Sequence, residues 1–185
     1  MTKYEKLFFD VDDTLIDFKA AEKVALPTVF KEYKMDFTEE VESYYKTLNR
    51  QLWTALEHGE ITREQLLERR FRETMQHFGQ KVDGREMDEQ YRSLLVNTVV
   101  LIDGAEQVLS QLSEKYELYI VTNGMMKTQH DRLKAANLTP YFKRIFVSEE
   151  TNYQKPQIEF FNYVMSNVKD FKKSTSMIIG DSFSA

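Results

Sequence analysis

The rhythm of apolar and polar positions changes twice along the chain. Leu7-Phe8-Phe9 is a continuous apolar run ending at Asp10, the pattern of a parallel strand buried on both faces. From about Asp17 to Asn97 the apolar residues instead recur at helical spacing, as at Val41, Tyr45, Leu48, Leu52 and Leu56, and nothing there reads as a strand. Thr62-Arg-Glu-Gln65 has the form of a capping box, and Gly79 after Phe78 has the form of a helix stop, so one helix is bracketed between them.

From Asp103 onward, helical stretches alternate with short apolar runs. The pattern predicts a helix to about Lys115, a strand over 118–121, a helix from about Thr128 to Ala136 and a strand over 145–147. A helix opening at Pro156 and a strand over 177–179 complete the series. The predicted fold class is α/β, a Rossmann-like doubly wound parallel sheet built from residues 1–16 and 98–185, with residues 17–97 inserted as an α-helical domain. In such sheets ligands bind beyond the carboxyl ends of the strands, which gives the residues just after each strand first claim on the chemistry.

Composition narrows the function classes. An apolar share of 42% over 185 residues supports one good core and a smaller second one. No apolar run approaches the roughly 20 residues that span a bilayer, and the N-terminus lacks the pattern of a secretory signal. A soluble, cytoplasmic protein without a membrane partner is the expectation. With 25 basic and 30 acidic residues the net charge is −5, which argues against nucleic acid as a partner. The charged run Glu64 to Arg72 reads as a solvated helix face. The absence of cysteine excludes disulfides, thiolate metal sites and thiol catalysis, and the isolated His58, His77 and His130 do not form a zinc pattern.

Four segments hold the reactive groups: Asp10-Val-Asp12-Asp13-Thr14, Thr122-Asn123-Gly124, Lys155-Pro156 and Gly180-Asp181-Ser182. Two carboxylates two residues apart suit a nucleophile, Asp10, and an acid/base group, Asp12, that share one small site. A distant third acid, Asp181, helps hold a hard cation such as Mg²⁺ together with Asp10. Thr122 and Lys155 suit the equatorial oxygens of a phosphoryl group, and Asn123 and Gly124 can supply main-chain amides. Asp13 reads as a turn residue, and Thr14 as a structural hydrogen-bonding group.

These segments, in this order, resemble the signature of the haloacid dehalogenase (HAD) superfamily phosphatases: DxDxT, a Ser or Thr, a Lys and an acidic strand end. The resemblance implies Asp10 as nucleophile, Asp12 as general acid/base, Thr122 and Lys155 as the phosphate-binding pair, and Mg²⁺ held by Asp10, the main-chain carbonyl of Asp12, and Asp181. It also implies that residues 17–97 are a helical cap of the C1 type. Phe9-Asp-Val-Asp-Asp-Thr-Leu-Ile-Asp-Phe18 together with Ile120-Val-Thr-Asn-Gly124 is most similar to the YjjG/YfnB-type pyrimidine 5′-nucleotidases. The substrate implied is a small phosphorylated metabolite, a nucleoside monophosphate.

Members of that superfamily usually carry a second acid a few residues after the position of Asp181, then another strand and helix. The sequence stops at Ala185, so the expectation is a C-terminally truncated form of a longer protein. A sugar phosphate or phosphoglycolate is the alternative substrate, since the same motifs serve many phosphomonoesters. Dehalogenase chemistry is disfavoured because it needs no acid at position 12. A phospho-accepting signalling domain would place its acids in a different order and lacks so large a helical insert.

Overall fold

The structure is a computed structural model in which residues 3–182 are described. The chain divides into two compact units, one formed by residues up to Ala21 and from Val99 onward, the other by Glu22–Thr98.

The first unit is built on a four-stranded, all-parallel sheet of β1 (Lys6–Phe9), β2 (Glu117–Thr122), β3 (Phe142–Val147) and β4 (Ser176–Ile179), in the order β3-β2-β1-β4. Side chains alternate between its faces, as strand geometry requires. Leu7, Phe9, Leu118 and Ile120 point to one face, where they pack with Leu109 and Leu133 of helices α5 (Ala105–Ser113) and α6 (Met126–Ala135). Phe8, Tyr119 and Val121 point to the other, against Phe160 and Val164 of helix α7 (Ile158–Ser166). Burial on both faces explains why β1 and most of β2 read as unbroken apolar runs. The central strand β1 is buried along its whole length, whereas Ile178 on the edge strand β4 is about half exposed.

Between β1 and the helical unit the chain makes a tight turn. The amides of Leu15 and Ile16 both donate to the carbonyl of Val11. Asp13 adopts a positive φ of 56°, a conformation that Asp tolerates better than most residues. Leaving and returning segments then run side by side, with Asp17 N–H on Val100 O at 2.8 Å and Ile102 N–H on Leu15 O at 3.0 Å.

The second unit contains most of α1 (Phe18–Glu32), then α2 (Glu39–Glu57), α3 (Arg63–His77) and α4 (Gly84–Asn97). The capping box at α3 forms: Thr62 Oγ1 accepts from Gln65 N–H and Gln65 Oε1 accepts from Thr62 N–H. Gly79 ends that helix region at a φ of 80°. Phe30, Tyr45, Phe71 and Tyr91 form an aromatic core, and Tyr44 stacks on His77.

Three expectations need correction. Pro156 does not open a helix: residues 154–157 form a turn, closed by Gln157 N–H on Gln154 O at 2.7 Å, and α7 starts two residues later at Ile158. The run from Glu64 to Arg72 is not uniformly solvated. Arg69 and Arg72 do pair along the surface with Glu73 and Glu68. Arg70, however, turns inward to Asp88, which is fully buried and also holds Arg92. Arg70 Nε donates to Asp88 Oδ1 and Arg92 Nε to Asp88 Oδ2, so the buried carboxylate has a charged donor on each oxygen. Finally, Thr14 takes part in the turn through its main chain, its N–H donating to Val11 O at 3.4 Å, while its buried Oγ1 has no partner among the described residues.

Candidate active site

Asp10 follows β1 directly and stays in the sheet's ladder, its N–H donating to Ile179 O of β4 at 2.9 Å. This fixes its backbone at the carboxyl end of the central strand. The side chain is 11% exposed, and its Oδ1 lies 2.8 Å from Nζ of Lys155, itself only 2% exposed. Burial raises the Asp10 pKa above the ordinary carboxylate value, and the Lys155 charge works against that rise without cancelling it. Asp10 is therefore a desolvated carboxylate with a cation at hand.

Lys155 is held from behind. Asn123 Nδ2 donates to the Lys155 carbonyl at 2.9 Å, and Lys155 N–H donates to Asn123 Oδ1 at 2.8 Å. The Asn123 side chain thus uses both its polar atoms to tie the end of β2 to the Lys155 loop. Thr122, the last residue of β2, is fully buried, and its Oγ1 accepts from Gln129 Nε2 at 2.7 Å.

Asp12 lies two residues beyond Asp10, and its side chain is 32% exposed. Its Oδ1 accepts from Arg132 Nη1 at 2.6 Å and its Oδ2 from Gln129 Nε2 at 3.0 Å. Asp13 points elsewhere: Oδ1 accepts from Phe18 N–H at the start of α1 and Oδ2 pairs with Lys19, the role of a turn and helix cap. Asp181 is exposed, two residues past β4; since Phe9 pairs with Ile179, it sits at the same end of the sheet as Asp10. Its negative charge, after the larger effect of Asp13, contributes to raising the Lys19 pKa.

All six expected residues therefore cluster at the carboxyl ends of β1, β2 and β4 and in the loop before α7. Asp10, Lys155 and Asn123 form one connected group, and Asp12 and Thr122 form another. Joining the second group are two residues that sequence reasoning did not single out, Gln129 and Arg132 on α6. The signal for them was present but weak. Thr128, Gln129, Arg132 and Leu133 share the buried face of α6 at helical spacing, and three of the four are polar.

The donors are suited to a hard divalent cation. Asp10 offers carboxylate oxygen that burial strips of solvent, and Asp181 is a carboxylate beyond the neighbouring strand. The Asp12 carboxylate is engaged on both oxygens, by Arg132 and by Gln129. Among the described residues no group of three or more Asp, Glu, His or Cys side chains is placed to hold a metal ion.

The haloacid dehalogenase-like hydrolase family model matches residues 7–184. The chain belongs to that family. It is 43% identical over its whole length to the HAD-hydrolase YfnB of Bacillus subtilis, covering 79% of that protein. A crystal structure of YfnB bound to magnesium superposes on it with a TM-score of 0.96, the match covering 100% of this chain and 82% of that one. Pyrimidine 5′-nucleotidase PynA of Streptococcus pneumoniae is 37% identical over 98% of the chain and 77% of the relative. Pyrimidine 5′-nucleotidase YjjG of Escherichia coli is 28% identical over 97% of the chain and 78% of the relative. The fold is accordingly the HAD-like Rossmann fold, and the protein is a hydrolase by family. Among the described residues no helix is long and apolar enough to cross a membrane.

Proposed function

We propose that this hydrolase is a Mg²⁺-dependent phosphomonoesterase that works through an aspartyl phosphate on Asp10, with nucleoside 5′-monophosphates, and pyrimidine nucleotides foremost, as its substrates. The observation that carries the reading is the buried Asp10–Lys155 pair at the end of β1, with Asp12 two residues on. A carboxylate nucleophile must approach an anionic phosphoryl group, and Lys155 supplies positive charge next to the attacking oxygen.

In the first step an Asp10 oxygen attacks phosphorus, the bond to the leaving oxygen breaks, and Asp12 gives that oxygen a proton. In the second, Asp12 takes a proton from water as the water oxygen attacks phosphorus, releasing phosphate and restoring Asp10. Lys155 and Thr122 hold the equatorial oxygens, and Asn123 keeps Lys155 in place through its main chain. Mg²⁺, held by Asp10, the Asp12 carbonyl and Asp181, supplies charge that offsets repulsion between nucleophile and substrate. Residues 17–97 act in this reading as the cap that selects the substrate.

Nucleotide specificity is supported by PynA and YjjG, both pyrimidine 5′-nucleotidases, and the metal by the magnesium-bound YfnB structure. A cytoplasmic setting belongs to the same reading. The test is phosphate release from a panel of nucleoside monophosphates and sugar phosphates, with Mg²⁺ and with EDTA. The expected result is preference for pyrimidine 5′-monophosphates, loss in EDTA and recovery with Mg²⁺. Preference for sugar phosphates would overturn the substrate, and full activity in chelator would overturn the metal.

A further inference from the structure

Gln129 and Arg132 lie one helical turn apart on α6, both almost fully buried, and both face the Asp12 carboxylate. Arg132 Nη1 reaches Asp12 Oδ1 at 2.6 Å and Gln129 Oε1 at 2.9 Å. Gln129 Nε2 reaches Asp12 Oδ2 at 3.0 Å and Thr122 Oγ1 at 2.7 Å.

The chemistry of these contacts leaves one orientation for each group. A guanidinium has only donors, so the amide must turn its oxygen toward Arg132 and its NH₂ toward Asp12 and Thr122. The NH₂ then spends one proton on each. Because the Thr122 oxygen accepts, its own proton is left to point elsewhere. Asp12 is gripped at both oxygens from α6, which fixes the plane of its carboxylate and leaves each oxygen with remaining lone-pair capacity. The Arg132 guanidinium is in turn backed by the Phe18 ring, with Cζ 5.6 Å from the ring centroid. Gly124 makes room for the arrangement. A Cβ there would lie 2.9 Å from Gln129 Cγ and 3.1 Å from both Cδ and Nε2.

We propose that Gln129 and Arg132 are positioning residues that hold the Asp12 carboxyl in the plane needed for proton transfer to the leaving oxygen. The proposal rests on Asp12 being the proton donor of the reading above. Its consequence is selective. An alkyl leaving group, such as a nucleoside 5′-oxygen, departs only if protonated, whereas 4-nitrophenolate departs readily without a proton. Misaligning Asp12 should therefore slow alkyl phosphates far more than aryl phosphates.

The experiment compares kcat/KM for 4-nitrophenyl phosphate and for the best alkyl phosphate of the substrate panel, with Mg²⁺ present. The proteins are wild type, Asp12→Asn, Gln129→Met and Arg132→Met. Taking the ratio of the two kcat/KM values cancels changes in phosphate binding and in the fraction of folded enzyme. We expect the alkyl-to-aryl ratio to fall by roughly tenfold or more in Gln129→Met and in Arg132→Met, in the same direction as in Asp12→Asn. Gln129→Met is nearly isosteric and carries the test if Arg132→Met does not fold. An unchanged ratio in Gln129→Met, with Asp12→Asn showing the drop, overturns the positioning role and leaves the mechanism standing. An unchanged ratio in Asp12→Asn overturns both.

Discussion

Nζ of Lys155 sits 2.8 Å from Oδ1 of Asp10, and both side chains are shielded from solvent. Removing one partner of such a pair leaves the other charge buried alone, a change that costs about 3–5 kcal/mol in comparable cases. Lys155→Met should therefore lower stability by about that amount and also depress turnover. Denaturant unfolding and steady-state kinetics on the same protein check it. A variant as stable as wild type would mean that the pair contributes little to folding.

The raised Asp10 pKa has a signed effect on stability. Its folded pKa lies above the unfolded value of 3.8, so its stabilising contribution is complete below that value and is lost as pH rises through the folded pKa. Asp10→Asn removes this dependence. In metal-free protein the melting temperature of Asp10→Asn minus that of wild type should grow as pH rises from strongly acid to neutral. For a chain of this size each kcal/mol amounts to about 2–4 °C. Thermal melts at matched pH values decide it, and a flat or shrinking difference would contradict the assignment.

Two glycines of the helical unit should respond differently to alanine. A Cβ at Gly84 would fall 1.9 Å from the main-chain carbonyl oxygen of Glu68 in α3, which cannot swing aside, so Gly84→Ala should cost about 3 kcal/mol or more. At Gly79 the space is open and only the positive φ opposes a side chain, so Gly79→Ala should cost about 1 kcal/mol. Urea titrations of the two variants supply the comparison. Equal losses would show that α3 and α4 are not packed as closely as this contact requires.

The sheet was readable because burial on both faces turns its two central strands into unbroken apolar runs, at Leu7 to Phe9 and Leu118 to Val121. Asp10, Asp12, Thr122 and Asp181 were readable because they directly follow such runs. Residues within helices were harder. Arg70 stands in a run of charges, and nothing in its neighbours tells that it alone turns inward to Asp88, 18 positions away. Gln129 and Arg132 are ordinary helix residues by composition, and only the fold brings them to Asp12, 117 and 120 positions earlier. Lys155 was placed by its order among the motifs, but the turn at Gln154–Gln157 that delays α7 depends on a main-chain bond that composition does not reveal.

The central claim is that phosphorus is transferred to the Asp10 carboxylate. The most direct measurement is an acid quench during turnover with Mg²⁺ and substrate, followed by peptide mass spectrometry to locate a phosphoryl group. The account predicts a phosphoryl group on Asp10 in wild type, more of it in a variant slowed in the second step such as Asp12→Asn with an aryl phosphate, and none in Asp10→Asn. Phosphate release with no phosphoryl group on the protein, or with the group on another residue, would contradict it.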